Sequence, residues 1–100
     1  MHMEASQIYE IVGYVAAVGT TVSFVPQAVK CIVTRDTRNI SLLMYIFFVV
    51  GTACWLAYGI GTGSLQVTIA NAITLVLAST ILVMKIVNLK KEKAERVNKA

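Results

Sequence analysis

A proline followed by a glutamine, Pro26-Gln27, lies inside an apolar run long enough to cross a lipid bilayer, in the segment Thr20-Thr21-Val22-Ser23-Phe24-Val25-Pro26-Gln27. Proline removes a backbone donor, and its ring clashes with the carbonyl four residues back, here Val22, so a helix through this point must bend or break. In lipid the freed carbonyl cannot turn to water. It is left to neighbouring helices, to Ser or Thr hydroxyls, or to water in an internal cavity. Thr20, Thr21 and Ser23 lie within a turn of that point. The segment therefore reads as a hinge, Pro26 and Gln27, beside an aqueous path onto which Thr20 and Ser23 project. That combination points to a small transporter.

The rest of the chain fits a membrane setting. Of 100 residues, 57% are hydrophobic and 14% charged, with a mean hydropathy of +0.72, which lies outside the range of soluble domains. There is room for about three spans of ~20 residues, and three apolar runs stand out: Ile8 to Val33, Ser41 to Ile60 and Leu65 to Val87. The reading divides the chain into an N-terminal tail, 1–7, a three-helix transmembrane unit, 8–87, and a basic tail, 88–100. Met1-His2 reads as a cloning remnant ahead of a native start at Met3. The first run is too long for the apolar core of a signal peptide, and Glu4 and Glu10 give it the wrong flank.

Charge sets the orientation. Lys30, Arg35 and Arg38 flank or occupy the first connection, and Lys85, Lys90, Lys91, Lys93, Arg96 and Lys99 close the chain. With three spans these two places share one side, and the other side carries Glu4, Glu10 and the uncharged turn Gly61-Thr62-Gly63-Ser64. Positive-inside bias then predicts the N-terminus outside and the C-terminus in the cytoplasm. The net charge of +4 needs no nucleic acid, because the basic tail reads as the headgroup-facing end of the third helix. Cys31 and Cys54 fall in separate spans and read as buried free thiols rather than a disulfide.

Each span carries one stripe unsuited to lipid. In the first, Gly13, Ala16, Thr20, Ser23 and Gln27 recur at spacings of three and four; in the third, Ser64, Thr68, Asn71, Thr74 and Ala78 do the same. Close helix packing accounts for Gly13, Ala16 and Ala78. Asn71 has more donors and acceptors than such a contact satisfies, which leaves both packing and a cavity open for it. The second stripe is bulky: Met44, Phe48, Gly51, Trp55 and Tyr58. Trp55 lies about 8 Å below the outer end of its span and Asn71 about 9 Å below the outer start of the next, at 1.5 Å per residue, so the two can meet at one level. An interfacial aromatic belt is the other reading of Trp55.

No span has an acidic residue at its centre, which argues for facilitated diffusion over proton symport. Metal-ligand spacings, a nucleophile-base pair and a phosphate loop are all missing from the sequence, so neither an enzyme nor a cofactor is expected. Three helices of ~10 Å diameter pack with their own side chains in the middle and cannot enclose a hydrated substrate. A path needs a second copy, and two units related by an axis along the membrane normal would place six helices round a central cavity.

Four segments resemble the SemiSWEETs, bacterial three-helix relatives of the SWEET sugar transporters and PQ-loop proteins. They are Thr20 to Gln27, Thr34-Arg35-Asp36-Thr37-Arg38-Asn39-Ile40-Ser41, Trp55-Leu56-Ala57-Tyr58-Gly59 and Ile69-Ala70-Asn71-Ala72-Ile73-Thr74-Leu75, and the likeness runs from about Gly13 to Lys85. The resemblance implies an all-α parallel homodimer of three plus three helices in the bacterial inner (plasma) membrane. Such a dimer acts as a uniporter, moving mono- or disaccharides, glucose- or sucrose-like, by alternating access. It implies Trp55 and Asn71 as the sugar-binding pair, Pro26-Gln27 as the hinge, Met44 and Phe48 as the inner gate and Tyr58 as the outer gate. Several relatives pair that tyrosine with an arginine, whereas Gly59-Ile60-Gly61-Thr62-Gly63 offers no charge. Two competing readings are a PQ-loop-type carrier of amino or organic acids and a non-transporting accessory membrane subunit.

Overall fold

The computed structural model describes residues 3–99. Three helices make up the bundle: α1 (Ala5–Thr34), α2 (Leu42–Thr62) and α3 (Leu65–Lys99). Each is long and apolar enough to cross a membrane. Their ends follow from local chemistry. At the start of α1 the Gln7 side chain accepts from the Glu4 N–H at 2.9 Å, so the helix takes up Ala5 to Gln7, three residues assigned to the tail from sequence. Ser41 caps α2 by accepting from the Met44 N–H at 3.3 Å.

The turn between α2 and α3 is as short as a helical hairpin allows. Gly63 sits in the left-handed region at φ 71, where an L side chain is strained. Its N–H reaches the Ile60 carbonyl at 3.3 Å, and the Ser64 N–H reaches Gly59 at 2.9 Å, so the last carbonyls of α2 are satisfied inside the turn. The two helices then run antiparallel at close range. A Cβ built on Gly59 would stand 2.8 Å from Thr68 Oγ1 and 2.9 Å from the Thr68 backbone nitrogen, so this approach admits only glycine.

α3 is the central helix: α1 and α2 each pack against it and not backbone to backbone against one another. The longer connection 35–41 makes this order possible by carrying the chain across the end of α3. Ala78, at 0% exposure, and Ile81 of α3 are buried together with Ala28 of α1 and Thr52 and Gly59 of α2. Ala78 is a packing position, as its stripe suggested.

α3 also continues through the basic stretch to Lys99. At 1.5 Å per residue it extends roughly 20 Å beyond a hydrocarbon core about 30 Å thick. The residues from Lys90 to Lys99 are exposed.

Three expectations are corrected. Of the bend or break expected at Pro26, the break does not occur, since Pro26 lies inside an uninterrupted α1. Nor do the nearby hydroxyls turn to the Val22 carbonyl: Thr20 Oγ1 donates to Ala16 and Ala17 at 3.0 and 3.3 Å, and Ser23 Oγ donates to Gly19 at 2.8 Å. Back-bonding within its own helix is the nearest option for such a side chain. The cysteines are free, but they are not buried in the single chain: Cys31 is half-buried and Cys54 exposed. Met1 and His2 lie outside the described residues.

Candidate functional site

One cavity of about 390 Å³ gathers residues from all three helices. α1 contributes Thr20 and Phe24; α2 contributes Phe47, Phe48, Gly51, Thr52 and Trp55; α3 contributes Asn71 and Thr74. Trp55 and Asn71 therefore meet at one level, with Thr20 beside them. Ser23 and Gln27 do not join this cavity. They lie with Ala16, Gly19, Thr20 and Phe24 on an open surface of α1.

The chemistry of the lining is aromatic and neutral-polar. Trp55 is 56% exposed in the single chain, and its ring stands edge-on to Tyr58 with centroids 5.5 Å apart and planes at 87°. That contact restrains the indole orientation while more than half of the residue stays uncovered. Asn71 donates one amide hydrogen to the Val67 carbonyl at 2.8 Å. Its second N–H and its carbonyl oxygen are free for other partners. Thr74 Oγ1 donates to Ala70 at 2.8 Å and can still accept.

Below the cavity, Phe24 of α1 and Phe48 of α2 meet edge-to-face with centroids 5.8 Å apart. Phe24 and Phe48 line this cavity and also a second one of about 380 Å³ nearer the 35–41 connection, where Gln27, Cys31, Met44 and Tyr45 lie. The aromatic pair is thus the floor of the first cavity and the roof of the second. Tyr45 packs edge-on to Phe48 at 5.8 Å and steadies that ring. Tyr58 lies outside both cavities, in a shallow groove with Gly51, Cys54 and Trp55.

Phe47 and Thr52 were not singled out from sequence. Both flank the aromatic stripe of α2, Phe47 next to Phe48 and Thr52 next to Gly51. A wider arc, read one residue to either side of the stripe, would have included them. Thr52 is only 4% exposed yet lines the cavity.

Outside the membrane-spanning part, Asp36 and Arg38 brace the 35–41 connection. Arg38 Nε and Nη2 donate to the two carboxylate oxygens at 3.0 and 2.9 Å, and the Arg38 N–H adds a third bond at 3.1 Å. These bonds to the charged form hold the Asp36 carboxyl down at about 2.

Fold and cavity define a three-helix membrane unit with a polar and aromatic site on one open face. The PQ loop repeat family matches residues 8–68 of the chain. A sugar transporter SemiSWEET of Escherichia coli (strain UMEA 3162-1) is 45% identical over 82 residues, 82% of this chain and 92% of the relative. One of Leptospira biflexa serovar Patoc is 45% identical over 76 residues, 76% of this chain and 89% of the relative. A crystal structure of SemiSWEET in the inward-open conformation matches with a TM-score of 0.83 at 41% identity, covering 90% of this chain and 97% of that one. A crystal structure of a bacterial homologue of SWEET transporters matches with a TM-score of 0.66 at 37% identity, covering 79% and 95%. The chain belongs to the SemiSWEET family of PQ-loop membrane proteins.

Proposed function

We propose that this protein is a sugar uniporter, working as a parallel homodimer that carries a mono- or disaccharide across the membrane by alternating access. The observation that carries the reading is the convergence of Trp55, Asn71 and Thr20 from three different helices on one cavity. An indole face covers the apolar face of a sugar ring, and the free amide groups of Asn71 bond to its hydroxyls. The relatives named as sugar transporters support the same substrate class.

The lining is uncharged throughout. A carboxylate substrate buried there would lack a counter-charge, which weighs against amino and organic acids. In the single chain Trp55, Tyr58 and Met44 are more than half exposed, so a second copy supplies the missing wall. In this reading Pro26 and Gln27 form the hinge, Met44 and Phe48 the inner gate and Tyr58 the outer gate. Ser23 reaches the path when the open face of α1 meets the partner. The transport unit is residues 8–87, and the basic tail, 88–100, is cytoplasmic. In this reading the protein sits in the bacterial inner membrane, and the clustering of Lys30, Arg35, Arg38 and Lys85 toward one end supports an outside N-terminus by the positive-inside rule.

The test is uptake by the purified protein in liposomes, with a panel of labelled mono- and disaccharides and no ion gradient. Saturable uptake of at least one sugar, absent from empty liposomes, is expected. Uptake of amino or organic acids alone overturns the proposal.

A further inference from the structure

The end of the bundle that holds the 35–41 connection is tied by contacts that the binding site does not use. The chain leaves α1 through Arg35 in the left-handed region, at φ 56, and Thr37 follows at only 2% exposure. Burial of a connecting-loop residue demands partners for its polar groups; the loop supplies one, the Ile40 N–H donating to the Thr37 carbonyl at 3.1 Å, and α3 adds the rest. Lys85 Nζ donates to the Thr37 carbonyl at 2.9 Å, while Asn88 Nδ2 donates to Thr37 Oγ1 at 2.8 Å and to the Arg35 carbonyl at 3.1 Å. Among the described residues, these are the only side-chain hydrogen bonds joining segments more than five residues apart.

A lysine at the end of a span ordinarily extends its ammonium into water or finds a carboxylate. Lys85 does neither. The carboxylate of Asp36, the residue before Thr37, is occupied by Arg38, and Lys85 donates to a loop carbonyl instead. Because α1 and α2 make no close backbone contact, the connection is their direct link at this end, and fixing its middle to α3 fixes both helix ends.

We propose that Lys85 and Asn88 are positioning residues that latch the connection onto α3. With the latch closed, the ends of all three helices move as one unit, and the displacement that parts Phe24 from Phe48 is taken up at Pro26. The consequence for transport rests on the uniport reading above; the latch itself does not. Releasing it lets the inner mouth open without the rest of the bundle. Cys31 reports that opening, because it lines the inner cavity and its thiol lies 3.4 Å from the Asp36 carbonyl.

The test uses the full chain in a Cys54→Ser background, reconstituted so that the inner face meets the medium. The alkylation rate of Cys31 by an impermeant maleimide is measured together with sugar counterflow and equilibrium sugar binding. Lys85→Met, which loses one charge-assisted bond, should raise the alkylation rate roughly tenfold or more, and Asn88→Leu, which loses two neutral ones, by at least about fivefold. Counterflow should slow while sugar affinity stays within about twofold. Lys85→Arg should restore both rates, since a guanidinium can reach the same carbonyl. Alkylation at the parental rate in both variants overturns the latch, as does fast alkylation that Lys85→Arg leaves unchanged. If Lys85→Met does not assemble, Thr37→Val removes only the hydroxyl acceptor, and a parental alkylation rate there is equally fatal. A parental protein that moves no sugar removes the transport reading, while the alkylation rates still decide the latch.

Discussion

Replacing Asn71 by alanine isolates the polar half of the proposed site. In the structure the amide makes one hydrogen bond, to Val67 within its own helix. The fold therefore loses only a local contact whose carbonyl already serves the helix ladder. What disappears from the cavity is one N–H donor and one carbonyl acceptor. At about 0.5–1.5 kcal/mol net for each neutral hydrogen bond, a sugar that uses both loses about 1–3 kcal/mol per protomer. At 1.4 kcal/mol per decade, affinity should fall by roughly five- to 150-fold. The thermal midpoint of the detergent-solubilised dimer should hardly move. The assay is equilibrium binding of labelled sugar to purified protein, with counterflow in liposomes as the functional readout. Parental affinity in a well-assembled Asn71→Ala protein would refute the assignment and return Asn71 to helix packing. A large loss of stability without a specific loss of affinity would do the same.

Other substitutions probe separate parts of the argument. Trp55→Ala should abolish measurable uptake while the dimer persists, and near-normal transport with confirmed expression would remove the stacking surface from the proposal. Gly59→Ala forces a Cβ within 2.9 Å of the Thr68 backbone nitrogen, so the ~1 kcal/mol helix gain of alanine is outweighed by about 1–3 kcal/mol of overpacking. Gly61→Ala meets open space and should be neutral or stabilising, so equal thermal midpoints for the two variants would contradict the close α2–α3 approach. Uptake should ignore an imposed pH gradient, and between pH 5 and 8 the Asp36–Arg38 brace should stay intact. Its depressed carboxyl lends stability above the ordinary value of about 4, and that stability is lost as pH falls through about 2. Proton-driven sugar accumulation would contradict the first statement, and a loop transition near neutral pH seen by tryptophan-independent probes would contradict the second. Pro26→Ala should slow counterflow more than it weakens binding, because a restored backbone donor favours the straighter state of α1; an unchanged rate would make the proline a packing feature.

Much of this architecture can be read from the chain because a bilayer removes alternatives. Apolar length alone sets three helices, and the stripe through Trp55 and the stripe through Asn71 place those two residues at one depth. Other features depend on what a helical period does not encode. Nothing in the spacing of Thr20 and Ser23 says that only the first turns toward Trp55, since both lie on one stripe and the choice depends on how α1 rotates against α3. The proline signals a lost donor but not whether the helix breaks. α1 stays continuous because a single missing N–H leaves the surrounding ladder intact. The burial of Thr37 was equally hidden, since a threonine between charged neighbours looks like an exposed loop residue until Lys85 and Asn88 arrive from a distant helix.

The open face of the bundle links these observations. A single chain buries few side chains beyond Ala28, Thr37, Thr52, Ala78 and Ile81, and its cavity opens sideways where Trp55 stands half uncovered. In lipid that opening would expose the unpaired part of the Asn71 amide to hydrocarbon, at a cost of about 1–3 kcal/mol, beside the Thr20 and Ser23 hydroxyls, whose protons are bonded within α1. Covering the face with an identical face turns the same groups inward, into a shared aqueous cavity, and doubles each of them round the twofold axis. On the proposed dimer, the partial burial of Trp55 in one protomer follows from building a transport path from half-units, and the polar stripe of α1 is the part of the wall that each copy would present to the other.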